Sequence, residues 1–251
     1  MKLSMLKPLG GWRAFAGEVG VVVLGVLLAL GAQEIAETID DRSEAAATRD
    51  SLTNEIEESL AVLELRKAAQ PCIDKRLKEL RAIVNQWGRT GRFETPRWVS
   101  QATWFAFDTA RFEAAQSAGR LALLPSEEQY RFGLVVESLK AFRDIQKREA
   151  DAWSTLRMLQ SGPEVLSASD RTAVRVALQD ASTLNHFAQI SVGQTLPQAA
   201  AFGWRPDMKR VRERMSLAWK DGKFRPSVCI SIDTPPDQAH REANLIYPLP
   251  E

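Results

Sequence analysis

Two cysteines, two histidines and scattered carboxylates are the side chains with which this 251-residue chain can do covalent or metal chemistry. His186 and His240 lack the HExxH or other paired-histidine spacing that holds a metal. Two cysteines alone do not build a tetrahedral zinc site. His186 stands beside Phe187 in an amphipathic stretch, where a structural role is expected. No GxSxG, no P-loop and no GxGxxG after a strand is present. Glu57-Glu58 and Glu127-Glu128 read as helix-surface and first-turn acids, and nothing in their spacing selects a general acid and base. No catalytic residue, cofactor or metal is therefore expected, and an enzyme is the least favoured reading.

Cys72 and Cys229 are the pair with a definite chemical prospect. In an oxidising compartment they can form one intramolecular bridge. Such a bridge would tie the start of a second helix to a C-terminal strap and would contribute about 5 kcal/mol on the chain-entropy model. Two unlinked buried thiols are the alternative, because separation in sequence carries no geometry. Trp98, Trp104, Phe105, Phe107 and Trp153 are candidates for an aromatic pocket that takes an apolar ligand. The competing reading is that these rings fill the core. Lys209, Arg210, Arg212 and Arg214 form a basic run on a helical pattern, able to meet anionic lipid or an acidic partner, or to stand as a solvated face.

The elements that position these residues begin with an apolar stretch. Residues 14–33 carry no charge except Glu18. A helix of that length spans about 30 Å, the thickness of a bilayer core. Lys2, Lys7 and Arg13 precede it, whereas Glu34, Glu37, Asp40, Asp41 and Glu44 follow it against Arg42 alone. The positive-inside rule then puts residues 1–13 in the cytoplasm and the rest beyond the membrane, which in a bacterium is the periplasm. A cleaved signal peptide and a buried soluble helix are the two alternatives. Against the first, Glu18 interrupts the apolar run and Gln33 to Ala47 continues it as a helix. Glu18 is a candidate intramembrane functional acid. The blander reading places it one turn inside the cytoplasmic edge, within reach of headgroups. Gly25-x-x-x-Ala29 has the spacing of membrane helix pairs, so a homodimer is a possible state.

Beyond the anchor, residues 34–70 read as a long stalk helix with Ile35, Ile39, Ala46, Leu52, Ile56, Leu60 and Leu63 on one stripe and Glu37, Asp41, Glu44, Glu55 and Glu58 on the opposite face. Pro71 is expected to end it. Residues 71–232 read as an all-α multi-helix domain. The first stripe runs Ile73, Leu77, Leu80, Ile83, Val84, Trp87, and Gly88-Arg-Thr-Gly91 closes it. Thr95-Pro96 reads as a cap that opens another helix, and Asp108 as a cap for one through Phe112 and Ala115. Ser126-Glu-Glu-Gln129 matches a capping box for a helix over about 126–160, with Tyr130, Leu134, Leu139, Phe142, Ile145, Trp153 and Leu156 inward. A further helix over about 169–190 carries Val174, Ala177, Leu178, Leu184, Phe187 and Ile190, and a last one runs from Pro206 to Lys220. Val228 to Ile232 is a short strand or extended strap. Residues 233–251, with Pro235, Pro236, Pro248 and Pro250, read as an extended tail.

The 33 basic and 32 acidic residues nearly cancel, so no global field recruits nucleic acid. The segment Trp12 to Leu30 (WRAFAGEVGVVVLGVLLAL) resembles the opening of a group of uncharacterised bacterial single-pass inner-membrane proteins, and Phe107 to Leu124 (FDTARFEAAQSAGRLALL) is similar to their later Ser-Gly, Leu-rich segment. Those proteins are domains of unknown function. The resemblance implies an N-terminal anchor and a helical periplasmic domain, and brings no activity. Many of them continue with Asn-Asn-Trp where Gly31-Ala-Gln33 stands here. The expected function is a membrane-anchored helical envelope module that binds or scaffolds a partner protein; a periplasmic small-ligand-binding or sensory module is the second reading.

Overall fold

A computed structural model describes residues 11–100, 107–214, 219–220, 223–224 and 226–243. The described residues are predominantly α-helical. A long helix, α1 (Gly11–Thr90), leads into α2 (Ala110–Ser117), α3 (Ser126–Leu156), α4 (Ala168–Ala201), α5 (Met208–Arg214) and α6 (Pro236–Ala243). Short 3-10 turns lie at Arg120–Leu123, Arg157–Ser161 and Ser227–Cys229, and a two-residue ribbon pairs β1 (Trp219–Lys220) with β2 (Lys223–Phe224).

Helix α1 has 80 residues, roughly 120 Å at 1.5 Å per residue. It passes through three environments. From Val19 it is long and apolar enough to cross a membrane, and its apolar window is 0% buried. Val21 is 73% exposed and Leu28 66%. Ile35 and Ile39, expected on a buried stripe, are exposed too. From Thr48 the helix sinks into the body: Leu52, Ile56, Leu60, Ala61, Val62, Leu63 and Leu65 are all buried. Stalk and body are thus one continuous element, and the stripe packs on its own domain.

Pro71 does not end the helix. It removes one donor, the one due to the carbonyl of Lys67 four residues back. Both Lys67 and Pro71 are exposed, so water can serve that carbonyl, while Ala69 and Ile73 on the opposite face hold the turn to the core. Pro71→Ala is therefore expected to raise stability by about 1–3 kcal/mol, read as a higher melting temperature; a fall would mean that the proline bend is needed to aim Cys72. Gly91 closes α1 at φ 67°, with its N–H on the Trp87 carbonyl at 2.9 Å, a left-handed cap that favours glycine.

Four other expectations need correction. Residues 95–100 are not helical. The N–H groups of Arg97 and Trp98 donate to the Ile232 carbonyl at 3.0 and 2.8 Å, so their backbone is committed to the C-terminal strap. Ser126 does not cap α3: Pro125 occupies that position and Ser126 is the first helical residue. Gln129 reaches back to the Leu124 carbonyl instead. The helix expected over Pro206 to Lys220 is described over Met208–Arg214, and Trp219–Lys220 belong to the ribbon, whose strands flank Asp221-Gly222, a hairpin signature in the sequence. The tail contains α6, whose Pro236 suits a first helical turn and whose Ala239 is buried. Residues 244–251 lie outside the described residues.

Helices α3 and α4 lie along α1 and supply most of the remaining core, including Phe132, Val136, Leu139, Phe142, Trp153, Val174, Ala181 and Ala188. Tyr130, Phe187 and Ile190, expected inward, are instead exposed. Helix α4 opens with a capping box between Ser167 and Asp170, and it runs on past Pro197 to Ala201.

Candidate functional site

Cys72 and Cys229 are bridged, with Cα atoms 4.9 Å apart. The bridge fixes the 3-10 turn at Ser227–Cys229 to α1. One turn further along α1, the buried guanidinium of Arg76 completes the same junction. Its Nη1 donates to the carbonyls of Trp98 (2.6 Å) and Val99 (2.8 Å), its Nη2 to that of Ile230, and its Nε to Glu79 (2.9 Å). The Trp98 indole N–H donates to the Ser227 carbonyl at 3.0 Å. Ser100, held at φ 75°, bonds Ser227 through its hydroxyl at 3.1 Å. Two irregular segments far apart in sequence thus have backbone carbonyls satisfied by one arginine.

Trp98, Phe107 and Trp153 do not share a chamber. Trp98 packs with Ile230 and Ala239 under α6, where His240 meets it edge-on at 5.1 Å. Phe107 lies in the main core against Phe142, ring centres 5.9 Å apart, and Trp153 is 1% exposed in that same core. Trp104 and Phe105 lie outside the described residues. Trp98, Phe107 and Trp153 line none of the surface hollows at Arg81–Gln179, Glu44–Arg120 or Glu55–Arg111. These three rings act as interior packing.

A buried polar network crosses the core beside Trp153. Arg66 (1% side-chain exposure) donates through Nη2 to Glu149 (2%) at 3.0 Å and to Asn185 Oδ1 at 2.9 Å. Asn185 Oδ1 also accepts from Gln70, and its amide donates to Asp74 at 2.9 Å. The network therefore binds α1, α3 and α4 together. Burial pushes the Glu149 carboxyl up, against the opposing pull of Arg66. Burial likewise lowers Arg66. Among the described residues Arg66 Nε and Nη1 meet no hydrogen-bond acceptor, while the Trp153 indole N–H leans toward the Glu149 carboxylate and helps to hold its pKa down.

A second buried carboxylate has an architectural task. Glu55 of α1 accepts the N–H groups of Arg111 (2.8 Å) and Phe112 (2.9 Å), while Asp108 takes that of Ala110 (2.9 Å). The start of α2 is thereby capped from another helix; Thr109 stands at the cap position expected for Asp108, which contributes from one residue before it, and Glu55, expected on the polar face opposite the stripe, is buried instead. Burial raises the Glu55 carboxyl, and the two backbone donors draw it back down. Glu55→Ala should cost about 1–2 kcal/mol, the scale of a lost cap. It should also speed hydrogen exchange at the amides of residues 110–113 selectively; uniform protection there would remove the capping role.

The basic run divides. Lys209 is exposed, and Arg210 is held by Glu58 at 2.8 Å and Asn54 at 3.2 Å. Arg212 also has an interaction, and the side chain of Arg214 lies outside the described residues. Part of this charge thus fastens α5 to α1. Glu18 lies on α1, but its side chain is outside the described residues. His186 is exposed beside Phe187, ring centres 6.3 Å apart. Among the described residues no three His, Cys, Asp or Glu gather as metal ligands.

Glu55, Arg66 and Arg76 were missed by the sequence reading. Each is a charge on the buried stripe of α1, as in Ile73-x-x-Arg76-x-x-x-Leu80. A charged residue in phase with an apolar stripe was the available signal. Comparison of the chain with models of known protein families, with curated proteins and with solved structures finds no match.

Proposed function

We propose that the protein is a single-pass inner-membrane anchor carrying a helical scaffold or partner-binding module in the bacterial periplasm. One observation carries this reading. The apolar turns of α1 from Val19 pack on none of the described residues, yet they continue without a break into the central helix of the body. An apolar surface of that length is costly in water at about 25 cal/mol per Å² and needs a lipid or protein environment. Continuity makes the anchor and the core one rod, so the body is held at a fixed offset from the membrane.

Orientation follows from the cationic residues before the span and the anionic ones after it. The Cys72–Cys229 bridge supports an oxidising compartment. The resemblance of residues 12–30 and 107–124 to anchored inner-membrane proteins points the same way. With no active-site constellation in view, scaffolding is the function that this architecture serves best.

A reporter that folds only in an oxidising compartment, fused after Glu251, is expected to be active, and a cytosol-restricted reporter silent. The reverse pattern would overturn the topology. Mature chain found soluble and shortened by its apolar segment would overturn the anchor. Crosslinking in intact cells is expected to capture another envelope protein; self-contacts alone would count against scaffolding.

A further inference from the structure

We infer that the groove between the far end of α1 and the first half of α4 is a binding site for a phosphoryl-bearing anion. The groove is an open hollow of about 590 Å³, a volume inside the usual range for small-ligand sites. Its walls are Arg81, Asn85 and Arg89 from α1 and Arg175 and Gln179 from α4; Val84 and Leu178 form an apolar floor. Every polar side chain on it can donate, and no carboxylate lines it.

The convergence of three arginines on one hollow without an acid is what distinguishes this surface: the hollows at Glu44–Arg120 and Glu55–Arg111 both hold carboxylates. Several arginines elsewhere are paired with carboxylates: Arg49 with Glu128, Arg66 with Glu149, Arg120 with Glu44, Arg131 with Glu127 and Arg210 with Glu58. In the groove, Arg81 bonds the Ser182 hydroxyl at 3.0 Å, and among the described residues neither Arg89 nor Arg175 meets a carboxylate. Arg89 in the last turn of α1 is favoured by the helix dipole. No such account covers Arg81 or Arg175, which sit within their helices. Three like charges around one hollow repel each other, and an anion between them reverses the sign of that energy.

Gly88 shapes the approach. A Cβ placed there would stand 3.1 Å from Arg175 Nη2, so the absent side chain leaves the guanidinium room at the groove wall. The fork of a guanidinium suits both carboxylate and phosphate oxygens. A phosphate monoester carries close to two charges and three acceptor oxygens, enough to engage more than one guanidinium; a carboxylate carries one charge. The site lies roughly 70–85 Å along α1 from the end of the apolar span at 1.5 Å per residue, so a lipid of the bilayer holding that span is out of reach. A soluble phosphate ester or a phosphomonoester headgroup in a second membrane presents the same chemistry.

The test titrates the full chain, in nanodiscs of zwitterionic lipid, with inorganic pyrophosphate and separately with vesicles containing phosphatidic acid. Saturable binding is expected, weakened about tenfold or more by Arg175→Gln, since a charged hydrogen bond contributes on that scale. Arg175→Lys should retain part of it. Gly88→Leu keeps all three charges and suits a helix, yet fills the groove, and should weaken binding as much; Arg131→Gln, on α3, should leave it unchanged. Saturation with pyrophosphate identifies a soluble ligand, and saturation with vesicles alone a headgroup. The inference is overturned when neither probe saturates, or when Arg175→Gln and Gly88→Leu bind like the wild type. These outcomes do not depend on which compartment the body occupies.

Discussion

Cys72→Ser will lower the unfolding free energy of the oxidised protein by about 3–5 kcal/mol and its melting temperature by on the order of 10 °C. The bridge spans 157 residues, so in the unfolded chain it removes a large closure entropy, about 5 kcal/mol on the loop model. The lower figure allows for unfolded-state structure that the loop model ignores. The loss should be felt first at the strap. With the bridge open, residues 226–232 are held by Arg76, by the Trp98 indole and by the two N–H groups given to Ile232. Hydrogen exchange at Arg97 and Trp98 should rise before any change appears in the paired helices α3 and α4. Cys229→Ser should match Cys72→Ser, and the double variant should be no worse than either, because all three delete one shared bond. Additive losses, or two free thiols titrating in the untreated wild type, would show that the cysteines act separately.

How much of this molecule can be read without coordinates depends on where its energy lies. Helix α3 and most of α4 were legible because hydrophobic burial dominates them, and the apolar span because an uncharged run of helix length is visible without any partner. Leu139, Phe142, Leu156, Val174 and Leu178 recur at helical spacing and are buried. The limits of such reading are equally physical. Pro71 looks like a stop because one backbone bond is lost, but a helix packed through Ala69 and Ile73 on its other face absorbs that loss. Thr95-Pro96 has the local form of a helix start, yet the backbone beyond it pairs with Ile232, which no local pattern reveals. The exposure of Phe187 and Ile190 shows that a stripe identifies a helix more reliably than it identifies the inward face. The bridge was legible as chemistry and not as geometry. The groove was not legible at all: Arg81, Arg89 and Arg175 are ordinary surface residues until α1 and α4 are laid side by side.

The buried charges make the sharpest case, because their effect depends on the partner and not on the residue. Arg66→Met is expected to cost about 3–5 kcal/mol, the scale for leaving one member of a buried pair unpaired. The cost comes from Glu149, which remains 2% exposed with its main counter-charge gone, and Asn185 loses one donor as well. Replacing both, Arg66→Met with Glu149→Leu, should recover most of the loss, since two apolar side chains of similar volume carry no desolvation penalty. The dependence on pH has a definite sign. The Glu149 carboxyl is already raised by burial in the wild type, with Arg66 opposing. Without Arg66 it must rise further. A raised carboxyl means that the folded state holds its proton more tightly than the unfolded chain. Its favourable contribution is therefore complete below the ordinary glutamate pKa of about 4.3 and is lost as pH climbs through the folded value. Arg66→Met should thus lie closest to wild type in acid and fall furthest behind near neutrality. Thermal unfolding of the four members of this cycle at pH 4 and pH 7 measures both the coupling and its sign. A single variant whose deficit does not change with pH, or a double variant as weak as the single, would mean that Arg66 serves the core by its aliphatic stem and not by its charge.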